Sequence, residues 1–498
     1  MENTNKSIKT LHLERAMYRK TENQLTLENF HLPFGGELEP DNRWIELEKI
    51  IPWDQFESKY ASKFAKSNMG APGKPVRMAL GALIIKEKCG FSDEELVLQI
   101  KENPYLQYFI GLPKFQKEAP FDPSMMVYFR KRFDAKTLQE VNEIICGVKT
   151  KENSKDSDGD KPPPDPTGKN NKGVLIVDAT CAPADIRFPT DCSLLNEARE
   201  KLEVMIDDLF KPFKTQMKKP RTYRKNARKD FLNFTKSKKP KPNAIRLAIG
   251  KQLRYVKRDL KTIDKLLVKN PGGLLDKQRN QLEVIQKVYK QQKKMYDTKT
   301  HRVEDRIVSI SQPHVRPIVR GKVASDTEFG AKVAVSLVNG FAFIDKLGWD
   351  NFHEGIELKD CIENYYRRFG FYPKVIAADK LYRNRDNFKI CKQYGILLSG
   401  PKLGRPSKQT DKKQKQLERL YERIRNSIEG KFGEGKRCYG LNRIMAKLKE
   451  TSESVIVLQF LVMNLEHRLR VLLSHFFKVL LLGNLSIKFR IKCIILEF

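Results

Sequence analysis

Two short apolar runs constrain this chain more than anything else in it: GVLIVDAT at residues 173–180 and KVIAADKLY at residues 374–382. Neither alternates apolar with polar residues, as a strand with one wet face would. Both therefore belong in a sheet covered on both sides. Each run also meets an aspartate near its end, Asp178 and Asp379. A carboxylate there is costly unless it is solvated, paired or bound to a cation. Strand ends in open α/β sheets are where sites gather. RIVSI at residues 306–310 is expected to add a strand. EFGAKVAVSLVNGFAFIDKLGW carries two β-rich runs around Asn339-Gly340, the strongest short hairpin signal. Residues 357–370 read as a helix stopped by Gly370. Hairpin, helix and buried strands together predict a mixed α/β sheet flanked by helices.

Charge divides the chain further. With 95 Lys+Arg against 61 Asp+Glu the net charge is +34. A charge that large points to a polyanionic partner, nucleic acid first and an anionic membrane surface second. Residues 211–300 hold 28 Lys+Arg against 6 Asp+Glu, so most of the excess sits in one helical, basic stretch. Phe213, Tyr223, Phe231 and Phe234 lie among its cations, a mixture suited to phosphate contact and base stacking. A solvated helix would balance its charges as i,i+4 pairs. Leu247, Leu253, Val256, Leu260, Ile263, Leu266 and Leu267 form a stripe, read as the seam of a packed helical pair.

Residues 149–172 contain three consecutive prolines and many charges, so they are expected to form a disordered linker. A second break is expected at residues 400–416. Before the linker, residues 1–148 read as a helical unit. Ser92 and Glu95 have the form of a capping box. In DPSMMVYFRKRF, Asp122 is the expected N-cap, Met126, Phe129 and Phe133 the inward face, and Arg130, Lys131 and Arg132 a basic end. Short helices with a basic last member suit a helix-turn-helix-like DNA binder, against an all-α packing or dimerisation domain. The eight cysteines are scattered with no C-x-x-C pair, so zinc is not expected and the thiols are read as free, in a reducing cytosol. The N-terminus shows no signal pattern. Residues 471–498 are apolar but broken by Lys478, Lys488, Arg490 and Lys492, which suits packing or association rather than a membrane span.

A third acid completes the chemistry. In RNSIEGKFGEGKR, Arg425, Glu429 and Lys436 fall at i, i+4 and i+11, one face of a helix. Gly430, Gly433 and Gly435 weaken that helix and are read as room for a nucleic-acid backbone. Glu434 is a rival acid off the Arg425 face. Three carboxylates can hold two divalent ions, which clamp the attacking and leaving oxygens of a phosphoryl transfer. Elsewhere, Asp191 is read as an N-cap, and Asp185, Asp326 and Asp345 as surface acids. His301, His314 and His353 are read as structural and Trp349 as core. Arg383 and Arg385 are left between phosphate contact and a solvated loop.

These motifs together resemble a known family, the bacterial insertion-sequence DDE transposases of the insertion-sequence-five type. RMALGALIIKEKCGFSDEELVLQIKENPYLQYFIGL resembles its N-terminal helical domain. VLIVDATCAPADIRFPTDCSLLNEAR resembles its first-aspartate block and VIAADKLYRNRDN its second. The spacing of Arg425, Glu429 and Lys436 resembles its R-x3-E-x6-K signature. The family's tyrosine, three residues before the arginine, falls here on Glu422, with Tyr421 beside it. SGPKLGRP and FLVMNLEHRLR also resemble family blocks. The resemblance implies an RNase H-like core with a mixed five-stranded sheet at residues 173–470, interrupted by a helical insertion at about 195–303. It implies two Mg²⁺ (or Mn²⁺) ions on Asp178, Asp379 and Glu429, with Arg425 and Lys436 positioning phosphates. The implied activity is cleavage and strand transfer of double-stranded DNA, the terminal inverted repeats and a target, by a homodimer or larger assembly on the bacterial nucleoid in the cytoplasm. A nuclease on the same fold, a catalytically inactive DNA-binding remnant and a basic RNA-binding protein are the alternatives.

Overall fold

The structure, a computed structural model, describes residues 27, 30–32, 35–64, 72–148, 165–319, 327–400 and 412–483. Among the described residues seven helices come first: α1 (Arg43–Ile50), α2 (Asp54–Ala61), α3 (Val76–Cys89), α4 (Asp93–Glu102), α5 (Pro104–Phe109), α6 (Met125–Arg132) and α7 (Ala135–Ile145). Ser92 caps α4 by accepting from the Glu95 N–H, as its sequence predicts. α6 starts later than expected. Its N-cap is Ser124, and the Asp122 carboxylate accepts from the Ser124 N–H instead. Met126, Phe129 and Phe133 are its buried face. The basic end of α6 is largely turned inward: Arg130 makes a two-pronged pair with Asp93 at 2.9 and 2.8 Å, and Arg132 lies over Phe64. That leaves Lys131 as the exposed cation of the three.

The sheet has six strands: β1 (Val174–Pro183), β2 (Arg316–Val319), β3 (Thr327–Val338), β4 (Phe341–Gly348), β5 (Val375–Ala378) and β6 (Leu397–Leu398). It is nonetheless five strands wide. β3 is long enough to pair β2 along Thr327–Gly330 and β4 along Lys332–Val338, so those two share one edge. Across the sheet then come β3, β1, β5 and β6, with β1–β5 and β5–β6 parallel and the rest antiparallel. The sixth strand is a correction to the expected five. Residues 306–310 are not a strand; the chain pairs later, at β2. The β3–β4 hairpin turns at Asn339 and Gly340, both with positive φ, as a two-residue primed turn requires.

Between β1 and β2 lie four helices: α8 (Asp191–Phe210), α9 (Arg224–Thr235), α10 (Pro242–Lys269) and α11 (Asp276–Thr298). They bury their own core, with Leu195, Leu202 and Ile206 of α8 against Leu253, Val256 and Ile263 of α10 and Ile285 of α11. Leu247, counted in the apolar stripe, is 67 % exposed, because it falls on the face of α10 opposite the buried Val256. The cap of α8 is Thr190, not Asp191; the Asp191 carboxylate accepts from Gln292 and Arg306 and ties α11 to the following loop.

After β4 come α12 (Leu358–Phe369), closed by Gly370 as expected, α13 (Arg385–Gln393), α14 (Lys412–Cys438) and α15 (Lys449–Gly483). α15 packs along α7 and the sheet. Its Asn464 donates to Asn142 Oδ1 at 2.8 Å and to the Ala342 carbonyl at 2.7 Å. The N-terminal helices, the sheet and α15 thus share one core. The end of the proline-rich stretch is seated too: Asn171 donates to the Tyr394 carbonyl, and Tyr365 Oη to the Lys172 carbonyl. Residues 149–164 lie outside the described residues, as do 401–411 of the second break; 412–416 of that break open α14. Of the apolar C-terminal segment, 471–483 continue α15 and 484–498 lie outside the described residues. Among the described residues no helix is long and apolar enough to cross a membrane, and seven cysteines are free.

Candidate active site

The parallel register sets the site. Val174 pairs with Val375 and Val177 with Ala378, so Asp178 and Asp379 hold the next position on neighbouring strands. β5 stops there, but β1 runs on to Pro183; Asp178 is therefore mid-strand rather than terminal. Asp178 Oδ1 accepts from the Ala179 N–H at 2.8 Å. Asp379 caps the 3₁₀ turn Lys380–Tyr382 through the Lys380 N–H at 2.7 Å. Helix α14 crosses this end of the sheet. Arg425, Glu429 and Lys436, spaced to share its face, line one cavity of about 700 Å³ together with Asp178 and Asp379. The five residues singled out by sequence thus meet around one space.

Electrostatics there are strained. Burial pushes the Asp178 carboxyl up to about 6, against the pull of its backbone hydrogen bond; Glu354 and Asp379 push the same way and Arg425 opposes them. Glu429 is exposed and held by Arg425 at 3.0 Å. Lys436 reaches Glu328 at 4.0 Å. As the side chains lie, no three acids, histidines or cysteines among the described residues stand close enough to hold a metal together. The donor set still suits a hard divalent cation: every candidate ligand is a carboxylate, and two of them raise each other's energy.

Glu434, the rival acid, pairs with Lys431 at 3.1 Å and Arg470 at 2.6 Å and lines a different cavity. The helix glycines have separate explanations. A Cβ on Gly435 would meet Met463 Sδ at 2.9 Å, so close packing on α15 requires it. Gly433 lines the site cavity and Gly430 faces open space. Arg383 joins Asp379, Arg419 and Arg425 around a smaller cavity, and burial lowers its pKa; Arg385 is exposed at the start of α13.

Glu354, His353 and Lys332 also line the site cavity, and no spacing in the sequence marks them. Lys332 Nζ pairs with Glu354 at 2.9 Å and donates to the Phe352 carbonyl at 2.8 Å, so a buried cation fixes the fourth acid. The turn carrying Glu354 is clamped to the turn after Asp379 by Asn387, whose Nδ2 donates to the Gly355 and Tyr382 carbonyls. Asp345, read as a surface acid, is buried beneath α12 with Arg368 at 2.8 Å and Ser336. Asp185 pairs with Arg443, and Asp326 lies outside the described residues. His314 stacks edge-on to Trp349, which is core, and burial pulls its pKa down to about 4; His301 is exposed.

Comparison with known proteins meets this geometry. A family model described as a transposase DDE domain matches residues 376–466, and one described as a transposase domain (DUF772) matches residues 34–132. The chain belongs to the bacterial insertion-sequence DDE transposases. Within this transposase the DDE match spans Asp379, Arg425, Glu429 and Lys436, while Asp178 lies ahead of it. The transposase is 31 % identical over 168 residues to an uncharacterised protein, ORF8 in the nfe locus of Rhizobium meliloti; the match covers 33 % of this chain and 73 % of that protein. No solved structure matches the transposase.

Proposed function

We propose that this transposase binds the terminal inverted repeats of its insertion sequence, cuts the DNA at their ends and joins the freed ends to target DNA. The observation that carries this reading is the register of β1 and β5, which sets Asp178 beside Asp379 under the Glu429 face of α14. The strand order, with an antiparallel β4–β3–β1 arm and parallel β5 and β6, supports an RNase H-like core at residues 173–470. Residues 1–148 and the helical insertion would hold DNA. Synapsis of two ends calls for at least two copies, and the substrate places the protein on the bacterial nucleoid.

Asp178, Asp379 and Glu429, the last released from Arg425, would hold two Mg²⁺ or Mn²⁺ ions. When bound, such ions stabilise charge on the attacking and leaving oxygens of an in-line displacement. The protein's own groups align the reaction. Arg425 and Lys436 offer fixed cations to the non-bridging oxygens of the scissile phosphate. In the first step a water oxygen bonds to phosphorus and the bond to the 3′ oxygen breaks. The water loses a proton and the 3′ oxygen gains one, leaving a 3′ hydroxyl and a 5′ phosphate. In the second the oxygen of that hydroxyl, giving up its proton, bonds to a target phosphorus; the target's own 3′ oxygen leaves and takes up a proton, and the new joint carries one phosphodiester for the one broken.

The test is a labelled duplex bearing the element's end, with Mg²⁺ or with EDTA. Metal-dependent nicking that vanishes in Asp178→Ala and Glu429→Gln, with duplex binding retained, is the expected result. Near-wild-type cleavage by Glu429→Gln would sink the site assignment. Cleavage without joining would reduce the activity to that of a nuclease.

A further inference from the structure

The insertion carries a charge surplus that its own fold does not use. The inward side of α10 is fully committed: Gln252, Leu253, Val256, Ile263 and Leu266 are buried among the helices of the insertion. Its outward side presents Arg254, Lys257, Lys261 and Lys265, all exposed and spaced three, four and four residues apart. That spacing keeps them in one stripe. At 1.5 Å per residue the stripe runs about 16 Å, close to the axial length of five base pairs at 3.4 Å each.

None of the four makes an ion pair among the described residues. Nearby acids are engaged elsewhere. Asp230 takes Lys251 and Tyr255 at 3.0 Å each, and Asp207 takes Arg224 and Lys219. Asp259 is fully buried. Asp264 is exposed at the margin of the stripe. Lys257, Lys261 and Lys265 are like charges at i,i+4, an arrangement that destabilises a helix by itself. Arg254 also lies within the electrostatic reach of Asp230, but no acid among the described residues pairs with Lys257, Lys261 or Lys265, and a regular cation row left largely unneutralised is complementary to a regular row of anions.

We propose that this outward face of α10 grips the phosphate backbone of duplex DNA, through Arg254, Lys257, Lys261 and Lys265, irrespective of base sequence. The proposal rests on the DNA-transposase reading above and adds a division of labour to it. The insertion leaves β1 five residues beyond Asp178, so the gripping face and the proposed acids belong to one continuous stretch of chain. Backbone contact of this kind positions DNA and carries no base code.

The test compares full-length wild type with R254Q/K257Q/K261Q/K265Q on a labelled duplex of arbitrary sequence, between about 0.05 and 0.2 M salt. Each lost phosphate contact removes about 0.9 from the slope of log K against log salt, so the slope should become shallower by about 3.6. At 0.15 M the same relation gives roughly a 10³-fold weaker Kd. A control losing equal charge, K359Q/K374Q/K389Q/K392Q around α12 and α13, should keep the wild-type slope. If the fourfold variant misfolds, K257Q/K265Q should show about half the slope change. An unchanged slope, an equal fall in the control, or loss of RNA-duplex binding with DNA binding intact would each overturn the proposal. Wild type that binds no duplex at any of these salts would instead overturn the transposase reading beneath it.

Discussion

Asp178→Asn should make this transposase more stable at neutral pH while disabling it. The Asp178 carboxyl is raised from 3.8 to about 6 by burial first, with Glu354 and Asp379 adding to it. A raised carboxylate binds its proton more tightly in the folded state, so stability falls as pH rises between those two values and the cost is complete above the higher one. Two units correspond to about 3 kcal/mol at pH 8 and about 1.5 kcal/mol at pH 5. Asparagine removes the charge and keeps an oxygen for the Ala179 N–H. Urea unfolding of both proteins in EDTA should therefore show the variant ahead by up to about 3 kcal/mol at pH 8, and by about half as much at pH 5. Mg²⁺ should close the gap by stabilising wild type alone. An advantage that is absent at pH 8, or the same at both pH values, would refute the reasoning.

Other substitutions separate structural charges from functional ones. Arg368 is 4 % exposed between Asp345 and Glu143; Glu143 also holds Arg367, but Arg368→Met leaves the buried Asp345 carboxylate with no cation, only Ser336 and Asn364, and should cost about 3–5 kcal/mol in urea unfolding. Gly340→Ala forces a side chain onto φ +82° and to within 2.4 Å of the His467 ring; the melting temperature should drop by an amount equivalent to about 1–3 kcal/mol. Gly430→Ala should act the other way: nothing lies within 4 Å of the new methyl, and α14 should gain about 0.5–1 kcal/mol in the same assay.

How far the sequence reached follows from what each signal depends on. Asp178 and Asp379 were legible because unbroken apolar runs announce buried strands, and Glu429 because helical spacing joins it to Arg425 and Lys436. The hairpin was legible because Asn339-Gly340 is a local conformational demand. Signals that depend on pairing were not. β2 is four residues long and exists by leaning on β3, so the stronger-looking RIVSI drew the expectation instead. Glu354 gains meaning only when Lys332 and Asn387 bring its turn to the end of β5. Asp345 reads as a surface acid until Arg368, 23 residues further along the chain, is folded over it. Arg130 and Arg132 look like a DNA-facing end until Asp93 and Phe64 claim them.

The pairing of Gly330 has a consequence for how such a chain is assembled. Gly330 lies opposite Pro183 on one side and Arg316 on the other, so the backbone departs for the helical insertion and returns from it two strand spacings apart, about 10 Å. To the sheet, the whole excursion is a loop whose two ends are already pinned. Whatever fills it can lengthen, shrink or be exchanged at small entropic cost, since closure depends only weakly on loop length. The acids proposed for catalysis and the helices proposed to grip DNA can therefore change on separate schedules: one part is fixed by strand register, and the other is a replaceable cassette.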